Sequence, residues 1–205
     1  MSMKLYDLPL SPNSRKVRAA IFELGLDVEI EVIQPREGKH KTPEFLRLNP
    51  NGKLPTLVDG EFSLWESNAI LVYLASKAKR LIPDDIQGQA RVHQWLYWQS
   101  SHFGPAVGKV GFERLLKPMF GLGQPDEAVV AAGTKDFENL ATILNRALEG
   151  KSYLCGELTV AELAIGAFAE YGLQAGLSFD AHPHAKAWLE RVMALESFKR
   201  SAPGR

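Results

Sequence analysis

The chain has 205 residues, is 45% apolar, and carries Lys+Arg and Asp+Glu at 24 each, so it can hold one large or two small globular domains at no net charge. That balance argues against nucleic acid or an anionic membrane surface as the main partner, and no segment approaches the roughly 20 apolar residues that span a bilayer. Its one cysteine, Cys155, excludes an internal disulfide and any paired-cysteine metal or redox centre; with no apolar signal region after Met1-Ser2-Met3-Lys4, a reducing cytoplasm is the expected compartment.

Lys4 to Leu8 forms a short β-like run. Ser11-Pro12 then reads as N-cap and first helical residue, Val17, Ala20, Ile21 and Leu24 recur at helical spacing, and Gly25 closes the helix. Val28, Ile30 and Val32 alternate with Glu29 and Glu31 as a second strand. Thr42-Pro43 opens a short helix to about Leu48. Leu54 to Val58 and Phe62 to Trp65 predict a hairpin around Asp59-Gly60, and Ile70 to Ala75 the apolar face of a third helix. The order is βαβαββα over residues 1–80.

The composition then turns polar between Lys77 and Gln89, and 81–88 is read as a linker to a domain spanning 89–205. No strand signal follows. Arg91 to His102 is helical and rich in aromatic residues, and Gly104-Pro105 is expected to break or kink it. Phe137, Leu140, Ala141, Leu144 and Leu148 form a clean apolar stripe. Thr159-Val-Ala-Glu162 is a capping box, and Ala185, Trp188, Leu189 and Val192 mark a further helix. Trp95, Trp98 and Trp188 are expected in the core.

Asn49-Pro-Asn-Gly-Lys-Leu-Pro-Thr-Leu57 is the most informative stretch. Proline cannot donate to a sheet ladder, so Pro55 belongs at a strand start, bulge or edge, and a cis peptide bond fits there. Leu54 is then free to offer its backbone to a peptide-like ligand. Ser67 stands at a helix start, where anions bind. Together these features point to a small, charged, peptide-like ligand.

Ser11-Pro-Asn-Ser-Arg-Lys-Val17, Asn49-Pro-Asn-Gly-Lys-Leu-Pro55, Glu66-Ser-Asn-Ala-Ile70 and Gly156-Glu-Leu-Thr-Val-Ala-Glu162, in that order and at these separations, resemble the cytosolic glutathione transferases over nearly the whole chain. The serine after the first strand is most similar to the theta, tau, phi and zeta classes. Glu162 stands where the family commonly has Asp. The resemblance implies an α/β thioredoxin-like N-terminal domain followed by an all-α C-terminal domain. It also implies a homodimer that uses glutathione as co-substrate, holds no permanent cofactor and no metal, and acts on a small hydrophobic electrophile.

In that reading Ser11 stabilises the glutathione thiolate, with Asn13 and Ser14 as rival donors. Leu54, before a cis Pro55, pairs with the cysteinyl backbone. Glu66 and Ser67 take the γ-glutamyl end, and Lys53 and His40, with Lys41 as a weaker candidate, the glycyl end. Leu10, Phe103 and Val107 are candidates for the electrophile site. The alternatives are glutathione-dependent disulfide or peroxide reduction, isomerisation, or a non-catalytic binding protein of the same fold. A catalytic-cysteine reductase is disfavoured because Leu10, Ser11 and Asn13 occupy the relevant segment. Cys155 reads as a small buried apolar residue.

Overall fold

Strand β1 (Met3–Asp7) is the natural centre of the first sheet, because its burial alternates along the strand and Leu5 is wholly buried. The computed structural model describes residues 3–203. β1 pairs in parallel with β2 (Val28–Val32) and antiparallel with β3 (Thr56–Asp59), and β3 pairs antiparallel with β4 (Phe62–Leu64), giving the order β2-β1-β3-β4. Gly60 turns the β3–β4 hairpin at φ +63°, a backbone conformation that Gly takes without a Cβ penalty.

Helix α1 (Pro12–Leu24) carries Pro12 at its first position and ends on Gly25 at φ +67°, as its sequence predicts. It packs with α3 (Ser67–Ala78) through Val17, Ala20, Ile21, Ile70, Leu71 and Leu74, all buried. Tyr6, on the opposite face of β1 from Leu5, meets Phe45 of α2 (Pro43–Leu48) edge-on at 5.4 Å. Helices therefore cover both faces of a four-stranded sheet.

The chain divides between Asp84 and Asp85 into two units, and the stretch from Leu195 onward, including α10 (Glu196–Arg200), belongs to the first. The linker reading of 81–88 falls on this divide. The reading of 89–205 as one body does not describe the end of the chain.

The second unit contains no strand among the described residues. α4 (Ile86–Trp98) runs through a π-turn at Gln99–Phe103 into α5 (Gly104–Gly111), then through a second π-turn at Phe112–Leu116 into α6 (Lys117–Met119). Gly104-Pro105 thus does not end the helix. Proline lacks the N–H and crowds the carbonyl a turn earlier, and the wider π-turn just ahead of Pro105 accommodates both effects.

α7 (Glu127–Ala147) starts well before the stripe seen in sequence, because Asp126 caps it by accepting from the N–H groups of Ala128 at 2.9 Å and Val129 at 3.3 Å. α8 (Val160–Gln174) and α9 (Pro183–Ala194) complete the unit. Gly111 lets α5 approach α8, since a Cβ there would lie 2.1 Å from the Tyr171 ring. The Thr159–Glu162 capping box forms, and buried Glu162 also accepts from Leu154 N at 2.8 Å. No helix among the described residues is long and apolar enough to cross a membrane.

Candidate active site

The sheet register brings the expected residues together. Thr56 pairs with Tyr6 and Leu57 with Leu5, so the turn at Leu54-Pro55 lies beside the loop that leaves β1 toward Ser11. The Leu54–Pro55 peptide bond is cis. That turn is braced by Asn49, which is 2% exposed: its Nδ2 donates to Lys53 O at 2.9 Å and Thr56 Oγ1 at 3.0 Å, and its Oδ1 accepts from Asn51 N at 3.0 Å.

Ser11 caps α1 through its backbone alone. Its N–H donates to Leu8 O at 2.9 Å, its side chain makes no capping bond, and it is half-buried, so the hydroxyl remains for another partner. Each of its two rivals holds one bond of its own. Ser14 is wholly buried and accepts from Leu8 N at 3.2 Å. Asn13 Oδ1 accepts from the Ser67 hydroxyl at 3.0 Å.

That last bond joins the N-termini of α1 and α3. Glu66, exposed and at φ +67°, precedes Ser67, the first residue of α3. The first N–H groups of a helix have no partner within it and carry its positive end, so each N-terminus favours an anion.

Lys16 lies beneath this junction. It is 1% exposed and donates to Asn68 Oδ1 at 2.7 Å. Burial pushes its pKa from 10.5 down to about 7, with the charge of Glu66 pulling the other way.

His40 lies in a one-turn 3-10 helix (Lys39–Lys41) against the same loop. Gly52, at φ +55°, would place a Cβ 2.8 Å from His40 O and from Lys41 Nζ, so only a residue without one fits. Lys41 donates to Asn51 O at 3.2 Å, Lys53 is exposed, and His40 Nδ1 is buried with no hydrogen-bond partner among the described residues. The structure therefore gathers Ser11, Leu54, Pro55, Glu66, Ser67, His40, Lys41 and Lys53 in the first unit.

The electrophile candidates fare differently. Leu10 is 52% exposed, but Phe103 and Val107 are wholly buried in the second unit. Phe103 stacks on Trp98 at 5.2 Å and meets Phe137 at 6.0 Å, and Phe137 meets Phe179 at 5.0 Å. Both residues are core, because the helix continues through the π-turn and keeps them inside its packing. Cys155 is half-buried, and burial, then the charge of Glu162, push its thiol up to about 11, too high for a nucleophile. Among the described residues no cluster of His, Cys, Asp and Glu is placed to hold a metal ion.

A four-stranded mixed sheet with a cis proline before β3, covered by helices and followed by an all-helical unit, defines a thioredoxin-like domain joined to a helical domain. The family description "Glutathione S-transferase, N-terminal domain" matches residues 1–76, and "Glutathione S-transferase, C-terminal domain" matches residues 103–196. Among curated relatives, glutathione S-transferase 3 of Zea mays is 36% identical, covering 97% of this chain and 92% of its own. Glutathione S-transferase theta-2B of Homo sapiens is 33% identical over 95% of this chain and 82% of its own. The solved structure of glutathione S-transferase-I with lactoylglutathione superposes with a TM-score of 0.92 at 31% identity, over 98% of this chain and 99% of that one. The chain belongs to the glutathione S-transferase family.

Two features of the site escaped the sequence. One is the brace that Asn49 forms to Lys53 O and Thr56 Oγ1. The other is the burial of Arg15, Lys16 and Arg18, which are 6%, 1% and 6% exposed. The hint available was the apolar run Val17-Arg-Ala-Ala-Ile21, which leaves α1 little surface to present to water.

Proposed function

We propose that the chain binds glutathione across the starts of α1 and α3 and the Leu54-Pro55 turn, ionises its thiol, and delivers the thiolate to hydrophobic electrophiles. The observation that carries this reading is the 3.0 Å bond from Ser67 to Asn13, which sets two helix N-termini side by side next to an uncommitted serine hydroxyl. Solved relatives hold ligands of this chemistry: lactoylglutathione in glutathione S-transferase-I, and two glutathiones in a Pseudomonas fluorescens family member at 29% identity and TM-score 0.87.

Ser11 donates a hydrogen bond from its hydroxyl to the sulfur, and the thiol proton is released to solvent as the thiolate forms. Leu54 pairs its N–H and C=O with the cysteinyl backbone. The Ser67 N–H receives the γ-glutamyl carboxylate, with the Ser67 hydroxyl held on Asn13 Oδ1, and Glu66 receives the amine. Lys53 and His40, with Lys41 behind them, face the glycyl carboxylate. Glutathione is a co-substrate, and this chemistry calls on no bound cofactor.

A free thiol has a pKa of about 8.5, so little is thiolate at neutral pH; bringing it to about 6.5 takes about 2.7 kcal/mol of preferential stabilisation of the charged form. One hydroxyl bond contributes part, and the positive end of α1 the rest. The sulfur lone pair then forms the new S–C bond while the leaving group departs with the electrons of the bond that breaks. In an addition, the acceptor's displaced electron pair takes up a proton. Binding and orientation supply the remaining acceleration.

The test is turnover of a model aryl halide by the protein and by Ser11→Ala. A strong fall in kcat with glutathione still bound is expected, and unchanged kinetics would move the role to Asn13 or Ser14. A second reading, reduction of mixed disulfides by two glutathiones, draws on the Pseudomonas fluorescens relative with two glutathiones bound. Turnover of a mixed disulfide without turnover of the aryl halide would favour it.

A homodimer also belongs to this proposal. Phe62 and Trp65 of the first unit and Tyr97 and Phe112 of the second are large apolar side chains left 37–69% exposed, as an interface requires. Sedimentation at a single-chain mass would contradict it. With a single, weakly acidic thiol, a reducing cytoplasm suits the chain.

A further inference from the structure

The guanidinium of Arg18 ties together separate stretches of the first unit. Nη1 donates to both carboxylate oxygens of Asp7, at 2.6 and 2.8 Å. Nη2 donates to Pro9 O at 2.9 Å and to Ser201 O at 2.8 Å, and Nε to Ser201 O at 3.2 Å. The Arg18 and Asp7 side chains are 7% and 1% exposed. Desolvation offsets much of the attraction in an ion pair this deep, so its yield is fixed geometry more than stability. The planar fork of arginine sets the direction of every partner.

Those partners have one thing in common. Asp7 ends β1, Pro9 lies in the loop that delivers Ser11, and Ser201 follows α10 at the end of the described chain. Arg15 reinforces the last contact: Nε donates to Ser201 Oγ at 3.4 Å, Nη2 to Phe198 O at 3.5 Å, and its guanidinium lies 4.5 Å from the Phe198 ring centre. Ser197 donates to Glu23 of α1, and the guanidinium of Arg200 lies 4.4 Å from the Phe22 ring centre. The end of the chain is thereby held along the whole of α1, from beside the serine loop to its last turn.

We propose that Arg18 is a positioning residue for Ser11, and that the terminal turn around Ser201 completes the device by fixing Arg18 so that the Pro9 carbonyl, and with it the serine hydroxyl, is held in one place. This rests on the reading of Ser11 as the thiolate stabiliser. A serine on a loop without this clamp would meet the sulfur less often and in poorer geometry. Arg18 then acts on the thiol and not on the binding of the rest of glutathione, because the Leu54 turn and the Glu66–Ser67 helix start lie outside its contacts.

Arg18→Lys keeps the charge and loses the fork. A variant ending at Arg200 keeps the fork and loses the Ser201 carbonyl. For both, and for Ser11→Ala, the thiol pKa of bound glutathione is read by ultraviolet titration, glutathione affinity by calorimetry, and kcat with an aryl halide. Both clamp variants are expected to raise the thiol pKa toward the Ser11→Ala value and to lower kcat by about tenfold to a hundredfold, the scale set by small misplacements in active sites. Measured at about pH 5.5, where the thiol is protonated in every complex, glutathione affinity should change by no more than about twofold, since the contacts that dominate it are intact. If Ser11→Ala raises the thiol pKa and the folded clamp variants do not, the inference fails while the reading of Ser11 stands. If Ser11→Ala leaves the thiol pKa unchanged, both fail. Should Arg18→Lys not fold, the shortened chain decides alone: a wild-type thiol pKa there overturns the proposal.

Discussion

Lys16 is the residue on which burial and charge conflict most directly. Its ammonium is enclosed against Asn68, and burial holds its pKa at about 7, against 10.5 in the unfolded chain. Between those values the unfolded chain binds the extra proton, so stability rises with pH across that range. The penalty of burying the charge is complete below about pH 7 and absent above about pH 10.5. Lys16→Met should therefore gain most over wild type below pH 7, and the gain should shrink as pH rises. Thermal unfolding of both proteins from pH 6 to about 10 checks this, and a gain independent of pH would contradict the burial account. Lys53 is the opposite case, an exposed cation. Lys53→Ala should raise the KM for glutathione about several-fold more than it lowers kcat, because it removes binding shared by ground and transition states.

At the scale of elements, the loop before β3 is as important as the helices. Asn49→Ala would remove the amide donor to Thr56 Oγ1 and one of the two donors to Lys53 O, the other being the Thr56 hydroxyl, and a buried unsatisfied group costs about 1–3 kcal/mol. A loss of that size by denaturant unfolding, with a raised glutathione KM, is expected; a wild-type KM would mean that the brace does not hold Leu54. In the second unit, Phe103→Ala should cost about 3–5 kcal/mol, as for a fully enclosed aromatic side chain, and should leave glutathione affinity unchanged.

These two regions also show what can be read from sequence and what cannot. The βαβαββα order with its hairpin at Asp59-Gly60, the cis proline and the Thr159–Glu162 box were legible, because each depends on local residue chemistry. The continuous helix through Pro105 was not, because a π-turn has no residue signature of its own, and the burial of Phe103 follows from it. The first half of α7 was hidden by its small, weakly patterned residues, although Asp126 marked its start.

At the scale of the whole molecule, the divide near Asp84 is visible as a change of composition, but the return of the chain end to the first unit is not. Its main polar anchors are the Phe198 and Ser201 carbonyls, and a backbone carbonyl looks the same at every position of a sequence. The same holds for the proposed recognition of glutathione at Leu54, which calls on main-chain groups. Motif spacing reveals such a site only through its special residues, here Pro55. The pairing of Ser67 with Asn13 is a long-range contact that neither motif announces by itself.

The central claim is that Ser11, at the start of α1, lowers the thiol pKa of bound glutathione. Ultraviolet titration of the thiolate in complex with wild type and with Ser11→Ala tests it most directly. The account predicts a pKa of about 6.5 in the wild-type complex and a return toward the free value of about 8.5 in the variant. The same pKa in both complexes would contradict it.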